Sequence, residues 1–346
     1  MATKKAIPAR PSKDNPIPLY SATGSPLLTA SNALVPGRSL GRDAWQRLLN
    51  NRLAVLGLVV LVTMVLLTFI GPPLLAKLTG FDYTTVPANS AELKSIPPFR
   101  GADGAFSWQH PMGTDDTGRD LLARVLIGGR ISLLVGVIAT FVSLLIGVAY
   151  GATAGYLGGT ADSLMMRIVD VLYALPYMLI VIVLLAAFGG GNLIGQIAGS
   201  IAAGQLLLLF VALGAVSWLN MARIVRGQVL SLKNQDFVMA ARSLGVSPAR
   251  IIFRHLVPNV MGPVVVYATL TVPAVMLQEA FLSFLGLGVQ APLASWGSLA
   301  ADGIKNIAIY PWQLIFPGVT MALTLFSLNF LGDGLRDALD PQTRRS

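Results

Sequence analysis

Between Val171 and Ala222 the chain carries no Asp, Glu, Lys or Arg, a run of fifty-two uncharged residues. A helix needs ~20 apolar residues to cross the hydrocarbon core of a bilayer, so this run is too long for one crossing and sufficient for two. Gly189-Gly190-Gly191-Asn192 divides it, which predicts helices near 171–188 and 195–218. Charge is also missing from Leu53–Ala76, Ile131–Ala161 and Leu256–Gln278, and from Asn306–Gly332, where a span is predicted near 312–332. Six spans result. Ala280–Ala301 is uncharged too, but it is rich in Gly and interrupted by Pro292. It is expected to be a membrane-edge or re-entrant segment buried in protein, where irregular backbone is tolerated at depth.

Composition leads to the same class. Hydrophobic residues make up 54% of the chain, charged residues 12%, and the mean hydropathy is +0.68. A soluble domain carries about 25% charged residues, so this chain lacks the polar surface to cover a water-facing globule. The absence of Cys excludes disulfide frameworks, thiolate metal sites and Cys nucleophiles. With two His, His110 and His255, a His-based metal site or triad is not expected. The net charge of +9 is better explained by membrane orientation than by nucleic acid.

The expected all-α organisation begins with a Pro-rich disordered tail, 1–38, and an amphipathic interfacial helix, 39–52, with Trp45, Leu48 and Leu49 on one stripe. The first span, 53–76, leads to an outer loop, 77–130, and then to a core of five spans, 131–333, with an inner loop at 219–258. A tail at 334–346 ends the chain. With both termini inside, the inner segments hold eighteen of the 25 basic residues. That asymmetry predicts N-in, C-in topology. Trp45, Trp296, Tyr310 and Trp312 fall at predicted interfaces as amphipathic anchors.

Ionisable groups at span centres usually mark ion paths or proton relays, and the predicted centres carry none. Asp170, Glu279 and Asp333 fall at span ends, where water and headgroups would solvate them; Glu279 is also a candidate outer gate or pathway residue. No G-x-x-x-x-G-K-[ST] occurs, so no phosphate cradle for ATP is expected. The cluster Asp115-Asp116-Thr117-Gly118-Arg119-Asp120 could hold Mg²⁺, but its interleaved Arg119 favours a salt-bridged loop and helix cap. Arg223 and Arg226, just past the fourth predicted span, serve topology or contact a partner.

The inner loop has the form of a helix–turn–helix. Asp236 is a candidate N-cap for a helix over 237–244, and Gly245 takes the left-handed stop position. Ser247 caps a second helix with Pro248 at its first position, and Pro258 closes the unit. Ala240 and Ala241 beside Phe237 and Leu244 give a narrow face that another protein could approach. An ordinary loop packed on its own bundle would have the same shape.

This segment resembles the cytoplasmic EAA motif of ABC importer permeases: Ala240, Ala241, Gly245, His255 and Pro258 match it in residue and spacing. Met239 stands where the motif has Glu. His110-Pro111-Met112-Gly113-Thr114-Asp115 with Gly118-Arg119-Asp120 is similar to the second permease of dipeptide, oligopeptide and nickel importers. So are Glu279–Gly288, Ser295-Trp296-Gly297 and the ending Gly332–Pro341. The resemblance spans roughly 40–341.

It implies a type I importer permease fold in the bacterial cytoplasmic (inner) membrane. It also implies a homologous second permease, two ABC ATPase subunits that bind ATP and Mg, and an external peptide-binding protein. No cofactor and no catalytic residue are implied for this chain. Residues 236–258 would form the coupling helix seated on one ATPase. Within the same family nickel or another small solute could be the cargo. A stand-alone secondary transporter would call for intramembrane ionisable residues, and a membrane enzyme for a catalytic cluster; neither is found in the sequence.

Overall fold

The computed structural model describes residues 40–80, 86–87, 89–189 and 199–339. The expected tail 1–38, the dividing residues Gly190–Asn192 and the end 340–346 lie outside the described residues. Among those described, the architecture is all-helical, with two isolated antiparallel bridges, Arg100 with Phe106 and Thr114 with Asp120.

Helix α1 (Leu40–Asn50) occupies the predicted amphipathic segment. Asn51 then caps α2 (Arg52–Thr79) through its side-chain oxygen, which accepts from the backbone N–H of Leu53 and Ala54 at 3.1 and 3.3 Å. A short α3 (Ser90–Leu93) precedes α4 (Leu121–Leu157). Next come α5 (Gly159–Ala174) and α6 (Tyr177–Gly189), which bend by 82° at Leu175 and Pro176. Helix α7 (Ile201–Leu232) leads to the short α8 (Asp236–Ser243). The chain continues with α9 (Pro248–Phe284), α10 (Trp296–Lys305) and α11 (Trp312–Leu339). Helices α2, α4, α7, α9 and α11 are long and apolar enough to cross a membrane, and the bent α5–α6 pair brings the number to six.

Several boundaries differ from expectation, two of them because charged residues are helical where each finds a partner. Helix α4 begins at Leu121 rather than near 131, with Asp120 as its N-cap accepting from the Ala123 N–H at 2.8 Å. Its buried Arg124 is neutralised by Asp115. Helix α7 continues to Leu232, so Arg223 and Arg226 lie on a helix, and the expected forty-residue inner loop is mostly helical. The third span is not a single helix near 171–188. Pro176 supplies no N–H and disfavours helix at Leu175, and the chain turns there. Helix α9 runs on to Phe284, so only the part of 280–301 between α9 and α10 is irregular.

Residues 47–339 pack as one unit around α4. Helices α4 and α7 run parallel in close contact because Gly147, Gly151 and Gly155 form a smooth stripe along α4. A Cβ at Gly147 would lie 2.6 Å from that of Met221, and one at Gly155 would lie 3.0 Å from the Arg226 carbonyl oxygen. Small residues permit this approach, and van der Waals contact then holds the helices where lipid offers no hydrophobic drive. Antiparallel to α4 lies α9, and α2 packs along α11.

Among the described residues, apolar clusters fill the bundle, a small one of Ala154, Met166, Val169 and Leu219 between α4, α5 and α7 and three larger ones. One joins Val148, Val229, Ile251 and Leu256 at the end bearing α8. Another joins Val135, Leu213 and Val275 midway. The third gathers Leu121, Met276 and Leu299 around Trp296. Trp296 is therefore no interfacial anchor: its side chain is buried, and its indole N–H donates to the Val125 carbonyl at 2.9 Å.

Candidate functional site: a helix presented at one end of the bundle

Helix α8 is built from two neighbouring faces with opposite tasks. Val238 and Ala241, three residues apart, are buried in the cluster formed by α4, α7 and α9. Phe237, Ala240 and Leu244 share the adjoining face and are exposed, as is Met239; Leu244 is 83% exposed. Spacing alone groups Ala240 and Ala241 on the presented face. Ala241 instead packs inward, because a helix turns ~100° per residue and Val238 fixes which side faces the core.

The ends of α8 set its angle. Asp236 is the first helical residue rather than the N-cap; Gln235 holds the cap position, and neither its side chain nor that of Ser247 before α9 makes a capping hydrogen bond. At the other end Gly245 has φ +73°, a left-handed conformation that Gly adopts without a Cβ clash. Its N–H donates to the Arg242 carbonyl at 2.9 Å, and the Val246 N–H donates to that of Ala241 at 3.1 Å. These two bonds make a Schellman stop and return the chain into α9. Pro248 is the first residue of α9, as predicted.

Pro258 does not end the unit. The helix passes through it to Phe284, entered by a wide π-helical turn over Ile251–Leu256. A Pro ring clashes with the carbonyl four residues earlier, and widening the helix relieves that clash. His255 sits in this turn, half-buried, and its carbonyl accepts from the Asn259 amide at 2.5 Å.

Cationic side chains tie this end together. Arg242 stacks on the Tyr156 ring, 4.9 Å from its centroid, and the Lys233 ammonium donates to the Gly155 carbonyl at 3.0 Å. Arg226 grips Asp162 with two hydrogen bonds of 2.6 and 2.7 Å. Arg223 pairs with Asp170 at 2.8 Å and stacks on Tyr173. Both arginines thus join α7 to α5, a role the sequence could not reveal because their partners lie more than fifty residues away.

Glu279 is not solvated. Its side chain is 1% exposed, and its carboxyl accepts hydrogen bonds of 2.6 Å from Ser283 and Ser295 and 3.5 Å from Ser132. Ser132 Oγ also accepts from the Trp296 N–H at 3.1 Å. The carboxyl therefore joins α4, α9 and the start of α10. Of the other two acids, Asp170 and Asp333 are exposed.

The acidic cluster at the opposite end is a salt-bridged cap. Asp115 accepts from Arg124 at 2.6 Å and from Arg119 at 2.9 Å. Burial works to raise its pKa, but the Arg124 charge, the Thr117 hydrogen bond and Arg119 outweigh it and hold the carboxyl below its usual range. Asp120 lies 2.9 Å from His110 Nδ1 while capping α4. Beyond this knot Phe99, Phe106 and Trp108 form an exposed aromatic group, with Trp108 edge-on to both Phe rings at 5.3 and 5.6 Å.

A six-fold apolar helical bundle with a small, rigidly presented helix at one end has the form of a multi-pass membrane transport subunit. Residues 147–345 match the family described as binding-protein-dependent transport system inner membrane component, and residues 39–98 match the N-terminal TM domain of oligopeptide transport permease C. The oligopeptide transport system permease protein OppC of Escherichia coli (strain K12) is 49% identical over 310 residues, covering 90% of this chain and 94% of that protein. OppC of Haemophilus influenzae is 46% identical, covering 89% and 90%. The dipeptide transport system permease protein DppC of Bacillus subtilis is 46% identical, covering 90% and 88%. A solved structure of the MetNI methionine ABC transporter in inward-facing form aligns at 17% identity with a TM-score of 0.45, over 64% of this chain and 96% of that one. The chain belongs to the binding-protein-dependent inner membrane transport components, as a permease subunit of the ABC importer type.

Proposed function

We propose that this chain forms half of the pore of an ATP-driven importer of oligopeptides or dipeptides in the bacterial cytoplasmic membrane, with both termini on the cytoplasmic side. A homologous second permease forms the other half, and two ATPase subunits bind ATP and Mg and hydrolyse the nucleotide. The chain itself has no catalytic site. An external binding protein delivers the peptide to the end that bears Phe99, Phe106 and Trp108.

The observation that carries this reading is the division of α8. Val238 and Ala241 lock it into the bundle, while Phe237, Met239 and Leu244 stay exposed beside polar Asp236, Arg242 and Ser243. An apolar patch with a polar rim fits a protein partner better than lipid. Moving a two-state pore from mostly one face to mostly the other needs ~5.5 kcal/mol of differential binding. A helix fixed to α4, α7 and α9 can pass that energy on, whereas a loose loop could not. With Met239 in place of the motif Glu, the contact at that position is apolar rather than charged.

The reading is tested by co-purification from native membranes followed by reconstitution. We expect ATPase subunits, a second permease and an external receptor to accompany the chain, and peptide uptake to require all of them. Uptake by the purified chain alone would overturn the proposal in favour of a secondary transporter.

A further inference from the structure

The 82° bend between α5 and α6 opens onto a cleft of about 460 Å³ that also reaches α7 and α9. Irregular backbone at membrane depth survives only where it is buried in protein or lines a wet cavity. Here Tyr173, Pro176 and Tyr177 carry the bend, and all three line the cleft. Broken helices recur at transport sites for the same reason, since they bring unspent polar groups to a ligand.

The rest of the lining sets a few polar, uncharged side chains among apolar ones such as Leu175, Val216 and Leu270. Asn220 of α7 and Gln278 of α9 face the cleft, and no charged residue lines it. Ser217 and Thr271 also line it, but their hydroxyls are spent on the carbonyls of Leu213 and Tyr267 in their own helices. Among the described residues the Asn220 and Gln278 side-chain amides have no such partner. Each offers both a donor and an acceptor, the complement of a peptide unit's C=O and N–H. Gln278 and Tyr177 are shared with an adjoining hollow of about 470 Å³, whose other walls include Met178, Leu277 and Phe281. Met and Phe side chains adapt to apolar groups of varied shape.

We infer that this cleft is a substrate-contact site that holds an extended peptide by its main-chain amides through Asn220 and Gln278, with the adjoining hollow taking its side chains. A site of this chemistry reads the backbone, which every peptide shares, and tolerates diverse sequences. The inference rests on the peptide-import reading above and adds to it the position and chemistry of contact.

The test uses the complete importer in proteoliposomes, with an alanine peptide and the same peptide N-methylated along its backbone as probes. Asn220→Leu with Gln278→Leu is expected to lower uptake of the plain peptide about tenfold, the loss of two modest hydrogen bonds. Receptor-stimulated ATP hydrolysis should persist, and the N-methylated peptide should lose far less. Asn220→Ala with Gln278→Ala, which adds no bulk, should show the same pattern. Wild-type uptake in either double variant, an equal loss for both peptides, or loss of stimulated hydrolysis along with uptake would each overturn the assignment. A wild-type complex that moves no peptide would instead defeat the import reading itself.

Discussion

Arg242 lies over the face of Tyr156, so the last turn of α8 is bound to the last turn of α4, the central helix of the bundle. Tyr156 sits one residue beyond Gly155, whose carbonyl takes the Lys233 ammonium. Together these contacts make the presented helix an extension of the bundle rather than a pendant loop. A partly exposed cation–π contact is worth about 0.5–1 kcal/mol. Arg242→Ala should therefore speed hydrogen exchange at the Val238 and Ala241 amides by a corresponding few-fold while leaving α4 protected. Unchanged exchange there would show that apolar packing alone holds α8.

Phe237 and Val238 are neighbours with opposite expected phenotypes. Val238 is fully buried, so Val238→Ala should lower stability by about 1–2 kcal/mol, seen as a lower thermal midpoint in detergent. Phe237 is 39% exposed, and Phe237→Ala should lower that midpoint less than Val238→Ala does. Covered by a partner, the part still exposed would contribute about 1 kcal/mol, so this variant should assemble yet couple ATP hydrolysis to uptake less well. Normal uptake with normal stimulation would remove Phe237 from the mechanism.

Gly245 has open space where a Cβ would be, so any penalty at this site comes from its positive φ and not from a clash. Gly245→Ala should cost about 1 kcal/mol and tilt or fray α8, weakening ATPase binding in a pull-down. Gly245→Asn should recover much of the loss, since Asn tolerates the left-handed region. Equal defects in Ala and Asn variants would mean that side-chain bulk at the docking face is what matters.

Removing the Glu279 carboxyl leaves three serine hydroxyls short of an acceptor in a buried site. Glu279→Leu should destabilise the protein by about 1–3 kcal/mol. Glu279→Gln keeps an acceptor oxygen and should lose less, as read by thermal unfolding in detergent. If the Leu variant were as stable as wild type but blocked in transport, Glu279 would be a pathway residue after all.

Asp115 gives a pH dependence whose sign follows from its lowered pKa. Its folded pKa is depressed, so its stabilising contribution is complete above the unfolded value near ~3.9 and is lost as pH falls through the folded one. Protease cleavage of the 94–120 segment should increase below about pH 4. Asp115→Asn should make that segment labile at neutral pH, by about 3–5 kcal/mol, because Arg124 is left buried without its partner. Acid-independent cleavage in the wild type would contradict this.

Much of the architecture was legible because bilayer thickness and charge exclusion act on linear sequence. The six apolar segments, the left-handed Gly245 and the Pro248 helix start all depend on residues within one or two turns of each other. Helix limits at Leu121 and Leu232 were not legible in this way. There the run of uncharged residues ends before the helix does, because Arg124 and Arg226 find Asp115 and Asp162 elsewhere in the chain.

By itself, then, the sequence determined that this chain is a membrane bundle with a punctuated helix pair at 236–258, since hydropathy, Pro and Gly act locally. Only the tertiary structure decided that Ala241 packs inward while Phe237 does not. It also decided that Glu279 and Trp296 are buried, and that a cleft opens at Pro176. Each of these depends on which helix lies against which, and that is set by close approach of distant segments, such as Gly151 against Ala222, which no local pattern encodes.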